Sequence, residues 1–429
     1  MAIARPAYLD PGQREAYPTS QTAGVPLTPS NRAVGTDVMG ASGIPTSEIK
    51  SRYYMLSCDN HLNGPPDLFE KRVDKRFRHR LPRQEVDDNG VKWSITEGLR
   101  PGKIRDFKLS GEDKERSAGG SFDWEKRWTD HTRDGVDAEV VFPGGGGLMA
   151  WATPDPLLSR ALCAAQNDWY YEVVGDHFNR TMPAALIAPS NVDEAIKEVA
   201  RVANLGFRAI NIPVRPFHAS AGAKSDQVGY NSPMFEPLWS AIEDADITLT
   251  CHVATGKDPR TASGEGGAVI NYVTHALTPA IEPFTHFCAS GILERHPKLR
   301  FGTVESGIGF LPWVMSGMDE AYEKHHFWVF PKLKMLPSEY FRQQCFATFQ
   351  EDPAGMLLAP TYQIIKNACW GSDYPHHEGS WPHSDEAIAR TMGHLSEDER
   401  RDVLGLNAAR LFGFEVPEQY SYDINGNNR

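Results

Sequence analysis

The chain reads as an α/β protein built on a (β/α)₈ barrel, and three observations carry that expectation. Eight short apolar runs of strand length recur along it, amphipathic helical stretches separate them, and His and carboxylate residues gather where the runs end. The runs are YYMLSC (53–58), AEVVF (138–142), AALIAP (184–189), RAINIP (208–213), ITLTCHV (247–253), RFGTVE (300–305), CFATF (345–349) and ACWGS (368–372). Between them, NVDEAIKEVARVANLG (191–206) has a capping Asn191 and a terminating Gly206, and MFEPLWSAIEDADI (234–247) has apolar residues at helical spacing.

Residues 1–50 are rich in Pro, Gly, Ser and Thr without apolar periodicity and read as a long extended N-terminal arm, either a disordered tail or a wrap around a neighbouring subunit. Residues 51–429 then read as a single metal-dependent catalytic barrel domain. Two segments exceed a minimal barrel, an insertion at about 66–130 after the first strand and another at about 214–233 after the fourth. Insertions at the C-terminal ends of barrel strands shape the substrate pocket. The first, polar and Gly-containing, is expected to be a lid or an oligomer contact.

Composition narrows the function. With 40% hydrophobic and 23% charged residues the chain can bury a large core. A net charge of -12 and the lack of any basic run exclude nucleic acid as a partner. No apolar run approaches the ~20 residues of a membrane span, and the start has no secretory pattern, so a soluble cytoplasmic protein acting on a small molecule is expected. The six cysteines are scattered, without CxxC pairs, as buried thiols would be.

The chemistry lies at the strand ends. Asp59 and His61 follow the first run in SCDNH, His252 ends the fifth, Glu305 ends the sixth, and Asp373 follows the eighth in GSDYPHH. In a parallel barrel these positions share one rim. Mixed imidazole and carboxylate ligands suit a divalent metal such as Zn, Mn, Fe or Co, and the i, i+2 spacing of Asp59 and His61 points both to one side. Asp59, His61, His252 and Asp373 are the expected metal ligands, with Glu305, Asp373 and His252 as the catalytic group. GGGG (144–147) belongs to no phosphate-binding motif, and Ser306 and Ser372 lack a nucleophile elbow. Trp151, His218 and Trp381 lie near strand ends and are candidates for a substrate pocket.

The segments DNHLNGPPDLFEKRVDKRFRHRLPR, DGVDAEVVFP, LTCHVATG, SGILERHPKLRFGTVESGIGFLPW and GSDYPHHEGSWPHS resemble the amidohydrolase-related family of aminocarboxymuconate-semialdehyde decarboxylase and the resorcylate-type decarboxylases, from about Tyr53 to Phe414. The resemblance implies the same barrel and the same four ligands: an acidic-or-His-x-His motif, here Asp59 and His61, a fifth-strand His252 and an eighth-strand Asp373. It also implies a homodimer, which the long arm would suit as a clasp.

Two residues depart from the family pattern. Relatives generally carry a proton-transferring His at the end of the sixth strand, where this chain has Glu305, and the first ligand is Asp59 rather than His. A Glu with a pKa of ~4.3 is a poor general acid at neutral pH unless burial raises it. A carboxylate there could instead bridge two cations, with His376 and His377 completing a second position. That pattern is similar to the TIM-barrel nonheme diiron monooxygenases of diterpenoid biosynthesis. The sequence therefore favours a monooxygenase with two Fe ions and an external electron donor, hydroxylating a bulky apolar or ring-containing acid or ester. The alternative is a hydrolase or non-oxidative decarboxylase (a lyase) of an aromatic or cyclic carboxylate, with a single Zn or Mn.

Overall fold

A computed structural model describes residues 49–420 except 51, 100, 105–107, 118–122, 145–149, 217–227, 256–261 and 263. The expected arm, apart from its last residues, lies outside the described residues, as do most of the second insertion and of the Gly run. Eight strands form one parallel sheet: β1 (Leu56–His61), β5 (Ala138–Phe142), β6 (Thr181–Leu186), β7 (Ala209–Ile212), β8 (Thr248–His252), β9 (Phe301–Val304), β10 (Cys345–Phe349) and β11 (Ala368–Trp370). Their order in space is their order in the chain, which is what repeated right-handed βα units produce. A parallel bridge between Asn60 and Tyr374 brings the last strand back to the first. His61 N donates to Tyr374 O and Asp373 N to Asp59 O, both at 2.7 Å, so the seam of the barrel runs through the ligand residues.

All eight apolar runs hold a strand, with shifted edges. Tyr53–Met55 precede β1 because pairing begins only where β5 offers a partner, Leu56 against Ala138. These residues are nonetheless buried, since Tyr53 Oη donates to Glu397 and Met55 N to Asp137. Apolar texture marks burial, and the ladder occupies only part of it. β1 also extends through Asp59 and His61, which lie on the strand rather than after it.

The helix Val192–Asn204 starts where Asn191 Oδ1 accepts from Glu194 N at 3.2 Å, and the chain leaves it through Gly206 at φ +90°. The expected 234–247 helix is shorter, Glu236–Asp244 after a 3₁₀ turn. Apolar side chains fill the barrel interior below the rim, among them Leu56, Cys58, Val140, Ala184, Val304 and Phe346. The larger core lies between strands and outer helices, where Phe287 stacks on Phe301 at 4.2 Å.

The first insertion is not a plain loop. It holds the short helix Leu68–Arg72 and an antiparallel sheet of β2 (Arg83–Val86), β3 (Lys92–Ile95) and β4 (Gly102–Lys103), followed by the helices Gly111–Ser117 and Trp124–Asp134. Buried Arg116 donates to Gly379 O at 2.8 Å, tying the insertion to the loop beyond β11. Among the described residues no helix is long and apolar enough to cross a membrane.

Candidate metal centre

The centre is assembled from β1 outward. A register shift against β5 between Ser57 and Asn60 re-aims the strand. Asn60 Oδ1 accepts from Ser57 Oγ (2.8 Å), Ser372 Oγ (2.8 Å) and Tyr374 N (3.0 Å), stitching β1 to the chain leaving β11. Asp59 and His61, on either side of Asn60, are left to face the rim.

Six side chains meet there. His61 Nε2 lies 3.2 Å from Asp373 Oδ1 and 3.7 Å from Asp59 Oδ1. His252 Nε2 lies 3.4 Å from Asp59 Oδ1 and 3.6 Å from Glu305 Oε2, and His376 Nδ1 lies 3.0 Å from Asp373 Oδ1. Three overlapping sets, Asp59/His61/His252, His61/Asp373/His376 and Asp59/Glu305/Asp373, each keep their ligand atoms within 4.8 Å of one another.

A divalent metal fits these residues. Asp59 Oδ1, His61 Nε2, His252 Nε2, both Asp373 carboxylate oxygens and His376 Nδ1 are buried without a hydrogen-bond partner. Buried polar atoms are nearly always satisfied, and each orphan costs ~1–3 kcal/mol. A cation held by any one of the three sets would relieve the orphans in that set together. The other imidazole nitrogens are already engaged: His61 Nδ1 faces Pro143 O at 3.2 Å and His252 Nδ1 faces Val253 O at 2.8 Å. Donation to those carbonyls fixes the tautomer that leaves Nε2 as a lone-pair donor.

The rim also holds backbone in a sparsely populated region. Glu305 and Asp373 have φ of +61° and +56° without being glycine, a conformation that costs ~1–3 kcal/mol and is found where surroundings impose it for function. Here Glu305 N is held by Thr348 Oγ1 at 2.9 Å and Asp373 N by the oxygen of Asp59.

Electrostatics follow from burying so many acids together. Burial, then the charges of Asp373, Asp59 and Glu378, push Glu305 well above the usual carboxylate range. Burial, with His376 and His252 beside it, holds His61 well below the ordinary imidazole value. Burial also opposes charge on His376, but its contact with Asp373, helped by Glu378 and Asp59, outweighs that and raises it to about 9.

The structure brings together Asp59, His61, His252, Glu305, Asp373 and His376, and corrects the expectation for His377. That side chain is 84% exposed and pairs with Glu378, because in the turn after Tyr374 only His376 folds back, stacking on His61 at 3.9 Å. The pocket expectations change as well. Trp151 is buried in the core with Nε1 donating to Ile187 O at 2.8 Å, and Trp381 is buried against Tyr374 with Nε1 donating to Asp130 O at 3.2 Å, so both serve packing. His218 lies outside the described residues.

Several neighbours of the centre were not foreseen. Gln350 Nε2 donates to Asp59 Oδ2 at 3.1 Å. Tyr272, from the helical segment after β8, lies near Glu305 and favours its charged form. Arg127 and Glu139 form a buried pair beneath His61. A sequence signal did exist for Glu139, a lone acid inside the apolar run AEVVF.

Imidazoles and carboxylates gathered at the C-terminal rim of a parallel barrel are what metal-dependent TIM-barrel enzymes use, and that is the class of this protein. Residues 119–414 match the sequence profile of the amidohydrolase family, and the chain belongs to it. Among curated proteins it is 24% identical to the gamma-resorcylate decarboxylase of Rhodococcus jostii (strain RHA1) over 275 residues, 60% of this chain and 78% of that one. Among solved structures, an amidohydrolase from Mycobacterium avium subsp. paratuberculosis K-10 superposes with a TM-score of 0.64 at 19% identity, covering 85% of this chain and 99% of that one. A dihydroxybenzoic acid decarboxylase from Polaromonas sp. JS666, with bound manganese and the inhibitor 2-nitroresorcinol, gives 0.59 at 16% identity over 85% and 98%. Both structural likenesses concern the fold.

Proposed function

We propose that this protein is a lyase that removes CO₂ from an aromatic or cyclic carboxylate without O₂, using one divalent metal, manganese or zinc. The observation that carries the reading is the gathering of unsatisfied ligand atoms from Asp59, His61, His252 and Asp373 on one rim, in overlapping sets linked through Asp59 and His61. Membership of the amidohydrolase family and the decarboxylases among its relatives support it. These four residues would hold the metal, which when bound supplies a Lewis acid that grips and orients the substrate's oxygens.

Glu305 stands beside this set, 3.6 Å from His252, with Tyr272 at its carboxyl. When the bond to the carboxyl carbon breaks and CO₂ leaves, the electron pair stays on the ring carbon, and in this reading Glu305 would deliver the proton that fills it. Glu305 would thus take the role that His fills in most relatives. Gln350 keeps Asp59 oriented. Protein loaded with Mn²⁺ or Zn²⁺ under argon tests the reading on a panel of hydroxybenzoates and cyclic carboxylates, with CO₂ release as the readout. Activity that requires O₂ would sink it.

One observation favours a second reading. The sets His61/Asp373/His376 and Asp59/Glu305/Asp373 share Asp373, so the rim offers enough ligands for two cations, as an iron monooxygenase fed by an electron donor needs. Two irons per chain after anaerobic reconstitution, together with substrate-dependent O₂ uptake, would replace the first reading with this one.

A further inference from the structure

The first insertion encloses a cavity of about 860 Å³ beside the rim. One wall is the chain leaving β1 from Asn63 to Pro66, a second is Pro143 and Gly144 where the chain leaves β5, and a third is Gln84 and Ser94, paired across β2 and β3. Gln166, from the helix Pro156–Val174, also lines it. Among the described residues, none of the six side chains of the metal centre does. The volume falls in the upper part of the ~300–1,000 Å³ range of pockets that hold whole organic ligands.

The enclosure is built rather than incidental. Arg80 donates to Glu97 and to Asp155, each at 2.7 Å, and Thr153 Oγ1 donates to Glu97 at 2.6 Å. Asp155 also caps the helix that carries Gln166, accepting from Leu157 N at 2.9 Å. The insertion is thus fastened to the helix on the far side of the cavity, and little ordering remains to be done on binding.

The walls state what would fit. Leu68, Phe69 and Leu81 offer apolar contact, and Pro65, Pro66 and Pro82 add more without any backbone N–H. Gln166 is 2% exposed, and its Nε2 is buried without a partner, a donor waiting for an acceptor. Arg78, on the 3₁₀ helix Lys75–Arg80, is exposed, and among the described residues no acid pairs with it, whereas Arg83 is held by Glu85 at 2.6 Å. Glu70 is the one carboxylate among the described wall residues, too few for a cation, which asks for several oxygen ligands. We propose that the cavity is a second binding site, separate from the metal, for an organic anion with an apolar body. Its anionic group meets Arg78 at the exposed end, and a hydroxyl or carbonyl oxygen at its other end accepts from Gln166 Nε2 in the depth. The site stands whichever reaction the rim performs, because no metal ligand lines it.

The test is a calorimetric titration of the full chain with 6-hydroxy-2-naphthoate, which carries a carboxylate and a hydroxyl at opposite ends of an apolar body. The wild-type chain is expected to bind it equally well with Mn²⁺ loaded or removed by a chelator. Arg78→Ala should weaken binding about tenfold and Gln166→Leu about fivefold, the worth of a charge-assisted and of a neutral hydrogen bond. The comparison ligand 2-naphthoate lacks the hydroxyl, so it should bind about fivefold more weakly to the wild type and lose nothing further in Gln166→Leu. Ser94→Trp, at an exposed position of the wall, should block entry without touching the core, which keeps the test decisive if circular dichroism shows Gln166→Leu to be misfolded. A wild-type chain that does not bind the probe, binding indifferent to Arg78→Ala and Ser94→Trp, or binding that vanishes with the metal would overturn the proposal.

Discussion

Arg127 donates to the main-chain oxygen of His61 at 2.9 Å from a guanidinium that is fully buried. The same side chain meets Glu139 on β5, and Glu139 also accepts from Asn60 Nδ2 (2.7 Å) and Thr181 Oγ1 (2.9 Å) and lies 2.9 Å from His131 Nε2. Burial alone would push Glu139 up, but Arg127 and His131 outweigh it and hold the carboxyl well below the usual range. The pair thus holds the β1 ligand segment at two successive residues, Asn60 by its amide and His61 by its carbonyl. Glu139→Gln keeps the volume and strands a buried cation, a change that costs ~3–5 kcal/mol. We expect the melting temperature to fall by several degrees. Metal affinity, measured against a competing chelator, should fall tenfold or more, as when other supports of metal ligands are lost. Unchanged values of both would remove Arg127 and Glu139 from the account of the centre.

Glu305→Gln separates the two chemical readings. If Glu305 delivers a proton beside a single metal, the variant keeps one metal per chain and loses turnover by ~10²–10⁴-fold, the usual worth of a positioned acid. If Glu305 bridges two cations, metal content by elemental analysis falls from two per chain to one. Asp373→Asn strips a ligand under either reading, and both metal and activity should go. Retention of full activity in Glu305→Gln would leave Glu305 no part in the reaction.

How much of this was legible follows from range. The apolar runs located all eight barrel strands, because parallel strands covered on both faces are apolar throughout. The rim ligands could be named because strand ends share one face of a barrel, so position in the chain becomes position in space. What escaped depends on contacts that no local pattern encodes. Arg127 reaches His61 across 66 positions and Gln350 reaches Asp59 across 291. His376 and His377 are adjacent in sequence, and only the path of the turn decides that the first stacks on His61 while the second enters solvent. Tryptophans near strand ends looked like pocket walls, yet Trp151 and Trp381 use their indole N–H groups to anchor loops.

Asp134 supplies a pH dependence remote from the rim. It ends the helix Trp124–Asp134, is fully buried and accepts from Ser384 N at 3.1 Å and Ser384 Oγ at 2.5 Å. Burial raises its pKa to about 6 despite these bonds and Lys50 nearby. The native chain therefore holds a proton that the unfolded chain, titrating near 4, has released, so this residue's contribution to stability is lost as pH rises from about 4 to 6. The shift amounts to ~2–3 kcal/mol. Asp134→Asn, which can still bond Ser384, should flatten that part of the melting temperature against pH profile and stabilise the protein at pH 8. An unaltered slope would mean that Asp134 does not titrate in this window.

Gly371 offers the sharpest test of how tightly the ligands are held. A Cβ at this position would lie 2.7 Å from Asp59 Cβ and 2.9 Å from Asp59 N, closer than real Cβ contacts come. The glycine is needed because the chain leaving β11 crosses directly against β1, where Asp373 N bonds the oxygen of Asp59. One added methyl group must displace backbone rather than a flexible side chain, so the strain passes straight into two ligands at once. Metal coordination tolerates shifts of only ~0.2 Å in ligand distance. Gly371→Ala should therefore weaken metal binding by at least tenfold while the barrel, judged by circular dichroism, stays folded. Glycine at this position reads in the sequence only as part of GSD, and its reason becomes visible when β1 and β11 meet. A variant that binds metal as the wild type does would show that the seam can widen without moving Asp59 or Asp373.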